Sequence, residues 1–203
     1  SILMITGYGL ATICIASGKQ ISEMIDETKV PRRLGREVIY ESSWVNLYAD
    51  RVEFPGGRVI DRHHFVHFEQ DSVAALAENE AGHLLLVESY RYTTSTIEWE
   101  LPAGRIEPNE SALEGGKREV MEESGYNSHE HRHVYTFFGL IGISNIQHHI
   151  IHCRTSEQIA SFDTNEVRSV RWFSRQEIED LINHKRIRDA YTLIALLMWL
   201  RGV

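Results

Sequence analysis

The sequence predicts an α+β fold, a sandwich of many strands and a few helices with a β extension at its N-terminal end. Three observations predict it. Residues 37–68 alternate apolar and polar side chains and are rich in β-branched and aromatic types, as half-buried strands are. Strand-length apolar runs recur on both sides of one capped helical segment at 111–124. Residues 175–202 then carry two helical patterns.

Along the chain, "SILMITGYGLATICIASG" has no charge before Lys19 and lacks the basic leading region of a signal peptide. It reads as a strand or as a tail docked on a partner. "QISEMIDET" at 20–28 fits a short helix, Pro31 breaks the chain, and "RRLGRE" reads as a basic connector. "EVIYESSWVNLYADRVEF" and "RVIDRHHFVHF" are strand patterns around a "PGG" turn at 55–57. "SVAALAENEAGHLLLVESYR" is strand, tight turn, strand, and "IEWELPAG" is a strand stopped by Pro102 and Gly104. Ser111 and Glu114 have the spacing of a capping box, and Gly125 sits where a glycine ends a helix. "VYTFFGLIGIS", "QHHIIHCRT" and "VRSVRWFS" read as strands, "RQEIEDLINHK" as an amphipathic helix, and "IRDAYTLIALLMWLRG" as an apolar terminal helix.

Composition narrows the function. The 203 residues are 42% hydrophobic and 25% charged, as in a soluble globular protein. A net charge of -8 argues against general nucleic-acid binding, but a local basic cluster can still hold a charged small molecule. No stretch reaches the ~18 apolar residues of a membrane span. Cys14 and Cys153 make no disulfide framework; they read as free thiols in a reducing cytoplasm.

The chemistry concentrates in "GRIEPNESALEGGKREVMEESGY", residues 104–126, which holds six Glu and no Asp. On a helix, Glu119, Glu122 and Glu123 share one side. Like charges at that spacing repel by roughly 0.2–0.5 kcal/mol per pair. A hard divalent cation, Mg²⁺ or Mn²⁺, would turn that repulsion into attraction. Arg118 can orient one carboxylate by a bidentate pair. Gly115 and Gly116 weaken the same helix by about 1 kcal/mol each relative to Ala, which points to close approach of another backbone or to a poor helix. Two histidine groups, His63, His64 and His67 and then His148, His149 and His152, could suggest a transition-metal site. Strand alternation puts neighbours on opposite faces, and no cysteine completes a tetrahedral set. Titrating surface or interface histidines are the plainer account.

Gly104, five residues, Glu110, seven residues, then Arg118-Glu119-Val120-Met121-Glu122-Glu123-Ser124-Gly125-Tyr126 is similar to the Nudix box, G-x5-E-x7-R-E-U-x-E-E-x-G-U. Every fixed position matches. "VESYRYTTSTIEWELPAGRIE", "EVIYESSWVNLYADRVEFPGGRVIDRHHF" and "RDAYTLIALLMWL" resemble segments of ADP-ribose pyrophosphatases and nucleoside diphosphate sugar hydrolases, so the resemblance covers about residues 36–200.

The resemblance implies an α/β/α sandwich with a mixed central sheet. It also implies a division into an N-terminal tail and β-rich dimerisation region, 1–68, and a Nudix hydrolase domain, 69–203. It implies cleavage of a nucleoside diphosphate derivative between its two phosphates, with Mg²⁺ (or Mn²⁺) as cofactor, in a homodimer. Carried over, the metal ligands are Glu119, Glu122, Glu123 and the Ala103 carbonyl. Glu122, Arg118 and a loop acid, Glu166 with Asp163 as second choice, serve catalysis. Arg91, Glu100, Trp44 and Arg62 line the substrate. Where ADP-ribose-specific members carry a Pro in the loop beyond the box, this chain has "FFGLIGIS", which leaves ADP-ribose specificity open. The rivals are hydrolysis of a dinucleotide or dinucleoside polyphosphate, and a Nudix-like sensor that binds a nucleotide without cleaving it.

Overall fold

The structure, a computed structural model, describes residues 2–6, 9–13 and 26–202. The chain divides into two compact units, residues 1–40 with 47–65, and residues 41–46 with 66–203.

In the first unit, β1 (Ile2–Thr6) and β2 (Gly9–Ile13) form an antiparallel hairpin. The expected helix at 20–28 falls mostly outside the described residues; only a 3-10 turn, Glu27–Lys29, is seen beside it. A three-stranded sheet follows in the order β3 (Arg32–Tyr40), β4 (Asn46–Glu53), β5 (Val59–His67). The stretch read as a basic connector is therefore the start of β3. Its charges suit a strand because β4 answers them: Arg32 pairs with Glu53 at 2.7 Å, and Arg36 holds Asp50 through Nε and Nη2 at 2.7 and 2.8 Å. The Arg36 guanidinium also lies over the rings of Tyr48 and Phe65, at 4.1 and 5.1 Å from their centroids. Every residue of β3 is exposed, including Leu34, Val38, Ile39 and Tyr40.

The second unit is built on one mixed sheet. Its main order is β10 (Tyr126–Phe138), β11 (Gln147–Gln158), β6 (Ser72–Glu78), β7 (Leu84–Arg91), β12 (Ser169–Phe173). β8 (Thr96–Glu100) pairs with β7, and β9 (Ala103–Arg105) pairs with β6. β6 and β11 run parallel; the other pairs are antiparallel. Alternation along β6 divides the core. Val73, Ala75 and Ala77 pack with Val120 of helix α1 (Ala112–Ser124). Ala74 and Leu76 pack with Ile178 of α2 (Arg175–Asn183) and with Ala195 and Leu196 of α3 (Ala190–Leu200). Helices thus cover both faces, which is why β6 is apolar on both sides.

Helix α1 begins at the expected capping box. Ser111 Oγ accepts from Glu114 N, and the Glu114 carboxylate accepts from Ser111 N at 2.8 Å. It ends on Gly125 in the left-handed region, φ 73°. A Cβ on Gly116 would lie 2.2 Å from Ile151 Cδ1, and one on Gly115 3.3 Å from Val73 Cγ1. The two glycines therefore let the helix settle onto side chains of β11 and β6. The contact is with side chains, not with another backbone. β10 begins at Tyr126, well before the expected "VYTFFGLIGIS", and ends at Phe138, so that residues 139–143 form a turn rather than strand; it carries three register irregularities against β11. Its polar first half is a strand because β11 supplies the pairing.

Candidate active site

Arg118 organises the acidic side of α1. Its Nε and Nη2 each donate to a Glu110 carboxylate oxygen at 3.0 Å, and Nη2 also donates to the Arg105 carbonyl at 2.8 Å. Its Nη1 donates to Glu119 at 2.7 Å and to Glu122 at 3.0 Å. The resulting hydrogen bonds, that to Glu110 foremost, hold the guanidinium pKa above its usual range and the Glu110 carboxyl below its own. One arginine thus fixes three carboxylates and ties the helix to β9. Glu123 is the one it leaves.

Glu119 and Glu123 are buried and Glu122 is exposed. Glu123 accepts a 3.0 Å hydrogen bond from Ala103 N. Burial, reinforced by the charges of Glu119 and Glu166, pushes its carboxyl up to about 8. Burial also raises Glu119, against the pull of Arg118. A Cβ on Gly104 would fall 2.1 Å from Glu119 Oε1, so only glycine leaves that carboxylate its place. A cavity of about 540 Å³ opens over Glu119, Glu122 and Glu123, and Asp163 and Glu166 line its other wall. Asp163 Oδ1 is engaged within its own loop by Asn165 N and Nδ2, at 2.8 and 2.7 Å. Glu166 acts on Glu119 and Glu123 through charge.

The donor chemistry fits a hard divalent cation: several carboxylates and a backbone segment, with no sulfur or imidazole among them. Two of these carboxylates are buried, and ionising both is costly without a counter-cation. Among the described residues no three acidic, histidine or cysteine groups already stand as a closed cage. Glu119 and Glu122 rest on Arg118, and Glu123 rests on Ala103 N.

Ala103 and Gly104 also line a second, larger cavity of about 710 Å³. There the buried Glu100 carboxylate accepts from Arg91 Nε at 3.0 and 3.2 Å and from Nη2 at 2.5 Å. Trp44 is exposed at the rim, with the Arg105 guanidinium 4.3 Å from its ring centroid and Arg105 Nη2 donating to the Trp44 carbonyl at 2.9 Å. The structure therefore brings Arg91, Glu100, Trp44 and Ala103 to one cavity, and Glu119, Glu122, Glu123 and Glu166 to the other. Arg62 belongs to the first unit, where it pairs with Glu37.

Several lining groups escaped the sequence reading. Arg188 and Glu98 form a second arginine–glutamate pair. Tyr191 stacks on His148 with centroids 3.7 Å apart, and His148 also bonds Ser72. The strand alternation of Glu98 with Glu100 was the signal available for Glu98. Nothing local marks the others. His149 faces Asp71 at 3.6 Å, and His152 bonds Glu78 at 2.8 Å. Cys153 is a buried thiol whose burial pushes its pKa up to about 12; Cys14 lies outside the described residues.

Residues 69–194 match the Nudix domain family, and residues 32–66 match the nucleoside diphosphate sugar hydrolase N-terminal domain. The chain belongs to the Nudix family and is a pyrophosphohydrolase of that family, whose members use divalent metal ions. It is 27% identical to a CMP-5'-(N-acetyl-N-hydroxy-3-aminopropyl)phosphonate hydrolase of Streptomyces rubellomurinus, over 80% of this chain and 79% of that one. It is 25% identical to an ADP-ribose pyrophosphatase of Bacillus subtilis, over 81% and 90%. It is 29% identical to a methanol dehydrogenase activator of Bacillus methanolicus, over 79% and 87%. The crystal structure of an ADP compounds hydrolase superposes with a TM-score of 0.73 at 20% identity, covering 85% of this chain and 95% of that one, which shows the shared fold.

Proposed function

We propose that the protein hydrolyses the diphosphate linkage of a nucleoside diphosphate sugar, ADP-ribose or a close relative, releasing a nucleoside monophosphate and a sugar phosphate. The observation that carries this reading is the position of Ala103-Gly104. This dipeptide touches Glu123 and Glu119 on one side and lines the Arg91 cavity on the other. A diphosphate held by Arg91 therefore lies within reach of the carboxylates.

Glu119, Glu122, Glu123 and the Ala103 carbonyl would hold Mg²⁺. A divalent ion held there would supply neutralisation of the diphosphate charge and a lowered pKa of bound water. Arg118 keeps the carboxylates oriented. Arg91, clamped by Glu100, offers its remaining N–H groups to phosphate oxygens. Trp44, backed by Arg105, would stack on the base. Glu166 is the preferred loop acid, because Asp163 is committed to its own turn. This step asks mainly for positioning and charge stabilisation.

The fully exposed β3, with four large apolar side chains, supports a homodimer formed through residues 1–68, with 69–203 as the hydrolase domain. A cytoplasmic location belongs to the same reading; no helix among the described residues is long and apolar enough to cross a membrane. A CMP-linked substrate is the second reading, favoured by the Streptomyces relative. The test is a panel of ADP-, UDP-, GDP- and CMP-linked compounds with Mg²⁺, with products identified by chromatography. Release of monophosphate and sugar phosphate from a nucleotide sugar is expected. Binding without product, or preference for a dinucleoside polyphosphate, would overturn the proposal.

A further inference from the structure

The large cavity contains a second guanidinium held in the same way as the first. Glu98 and Glu100 stand two residues apart on β8 and so share one face, about 7 Å apart along the strand. Both are buried, each about 6% exposed. Glu100 grips Arg91 from β7; Glu98 grips Arg188, which donates from Nη2 and from Nε at 3.3 Å. Arg188 stands just before Asp189, whose carboxylate caps α3 by accepting from Thr192 N at 2.7 Å. Burying a carboxylate is costly. Glu98 is answered by a single side chain that is itself 58% exposed over the cavity. The result is a guanidinium fixed in direction, with the Nη1 hydrogens and one on Nη2 unused.

Charge decides what those donors suit. Arg188 is balanced by Glu98, and its neighbour Asp189 adds a negative charge to the same wall. With the diphosphate taken up at Arg91, a further anion gains little at Arg188. Uncharged hydroxyl oxygens gain hydrogen bonds from Arg188 and from the paired hydroxyls of Thr94 and Thr96, 2.7 Å apart on the same lining.

We infer that Arg188, oriented by Glu98, is the residue that binds the group attached to the second phosphate, and that this group is an uncharged polyhydroxylated one. The inference rests on the proposed hydrolysis of a nucleoside diphosphate derivative. It rules out a second polyphosphate arm and identifies the side chain that discriminates.

Product inhibition tests it, because the two products occupy the two halves of the site separately. Wild type, Arg188→Gln and the doubly neutral Arg188→Gln/Glu98→Gln are compared. The double variant guards against misfolding caused by an unpaired buried Glu98. The inhibitors are AMP and ribose 5-phosphate during ADP-ribose hydrolysis, or UMP and glucose 1-phosphate during UDP-glucose hydrolysis. Both variants are expected to raise the Ki of the sugar phosphate about ten-fold or more, as loss of a charged hydrogen bond does, and to leave the monophosphate Ki within about two-fold. The wild type is expected to have at least about ten-fold higher kcat/KM for the nucleotide sugar than for diadenosine tetraphosphate. An unchanged sugar-phosphate Ki or an equal rise in both constants would overturn this inference while leaving the proposed hydrolysis standing; the reverse substrate order would overturn both. A wild type that hydrolyses neither nucleotide sugar would overturn the proposed function and this inference with it.

Discussion

Arg118 and Glu123 occupy opposite electrostatic positions on one helix, five residues apart. Arg118 meets Glu110, Glu119 and Glu122, whereas Glu123 is buried with a single backbone donor. Arg118→Met leaves those carboxylates unbalanced, and the expected loss is about 3 kcal/mol, measured by urea denaturation, together with most of the activity. Glu123 also predicts a pH dependence. Its folded pKa is raised from 4.5 to about 8, so the folded state holds this proton more tightly than the unfolded chain does. Stability contributed by the neutral form is complete below about 4.5 and is lost as pH rises through 8. Glu119 shifts in the same direction; the lowered acids, Asp50, Glu78, Glu110, Glu114 and Glu177 among them, act below that window, and His131 and His148, lowered from 6.5 by burial, oppose the trend only at its acidic end. The metal-free protein should therefore melt at a lower temperature at pH 8 than at pH 5.5. Mg²⁺ should raise Tm more at pH 8, because binding displaces the proton. A Tm in EDTA that climbs from pH 5.5 to 8 would contradict this.

At the scale of elements, β9 and α1 act as one piece, joined by Arg118 to the Arg105 carbonyl and by Ala103 N to Glu123. Gly104→Ala should push Glu119 aside and lower kcat by about ten-fold or more with little change in Tm, since the obstructing atoms are the far end of a flexible side chain. Gly116→Ala should instead cost stability, about 1–3 kcal/mol, because Ile151 is packed in the core; Ile151→Val in the same chain should recover part of it. Helix α1 was legible in the sequence because Ser111, Glu114 and Gly125 are local signals. The start of β3 was not, because "RRLGRE" becomes a strand only when Glu53 and Asp50 face it across the sheet. The polar half of β10 was hidden for the same reason. In the candidate site the carboxylates, Arg91 and Glu100 could be placed from spacing and resemblance. The Glu98–Arg188 pair spans 90 positions, and no local pattern announces such a contact.

For the whole molecule, the wholly exposed β3, with Leu34, Val38, Ile39 and Tyr40 in contact with water, predicts association. Gel filtration should show a dimer, and Val38→Glu with Tyr40→Glu should shift it toward the 23.4 kDa chain; a wild type running only at that mass would contradict the dimer. The sandwich was legible as a class, because two-sided burial makes β6 and the start of β7 apolar runs. The parallel pairing of β6 with β11 was not, because strand patterns carry no direction. What the fold accomplishes is to place buried carboxylates beside a cavity that holds arginines. The most direct measurement is the turnover of Glu123→Gln against wild type, on whichever nucleotide sugar the panel selects, with Mg²⁺ in excess and folding verified by melting. The account predicts a fall in kcat of about 100-fold or more with Tm at pH 8 held or raised. Native turnover in Glu123→Gln would contradict it.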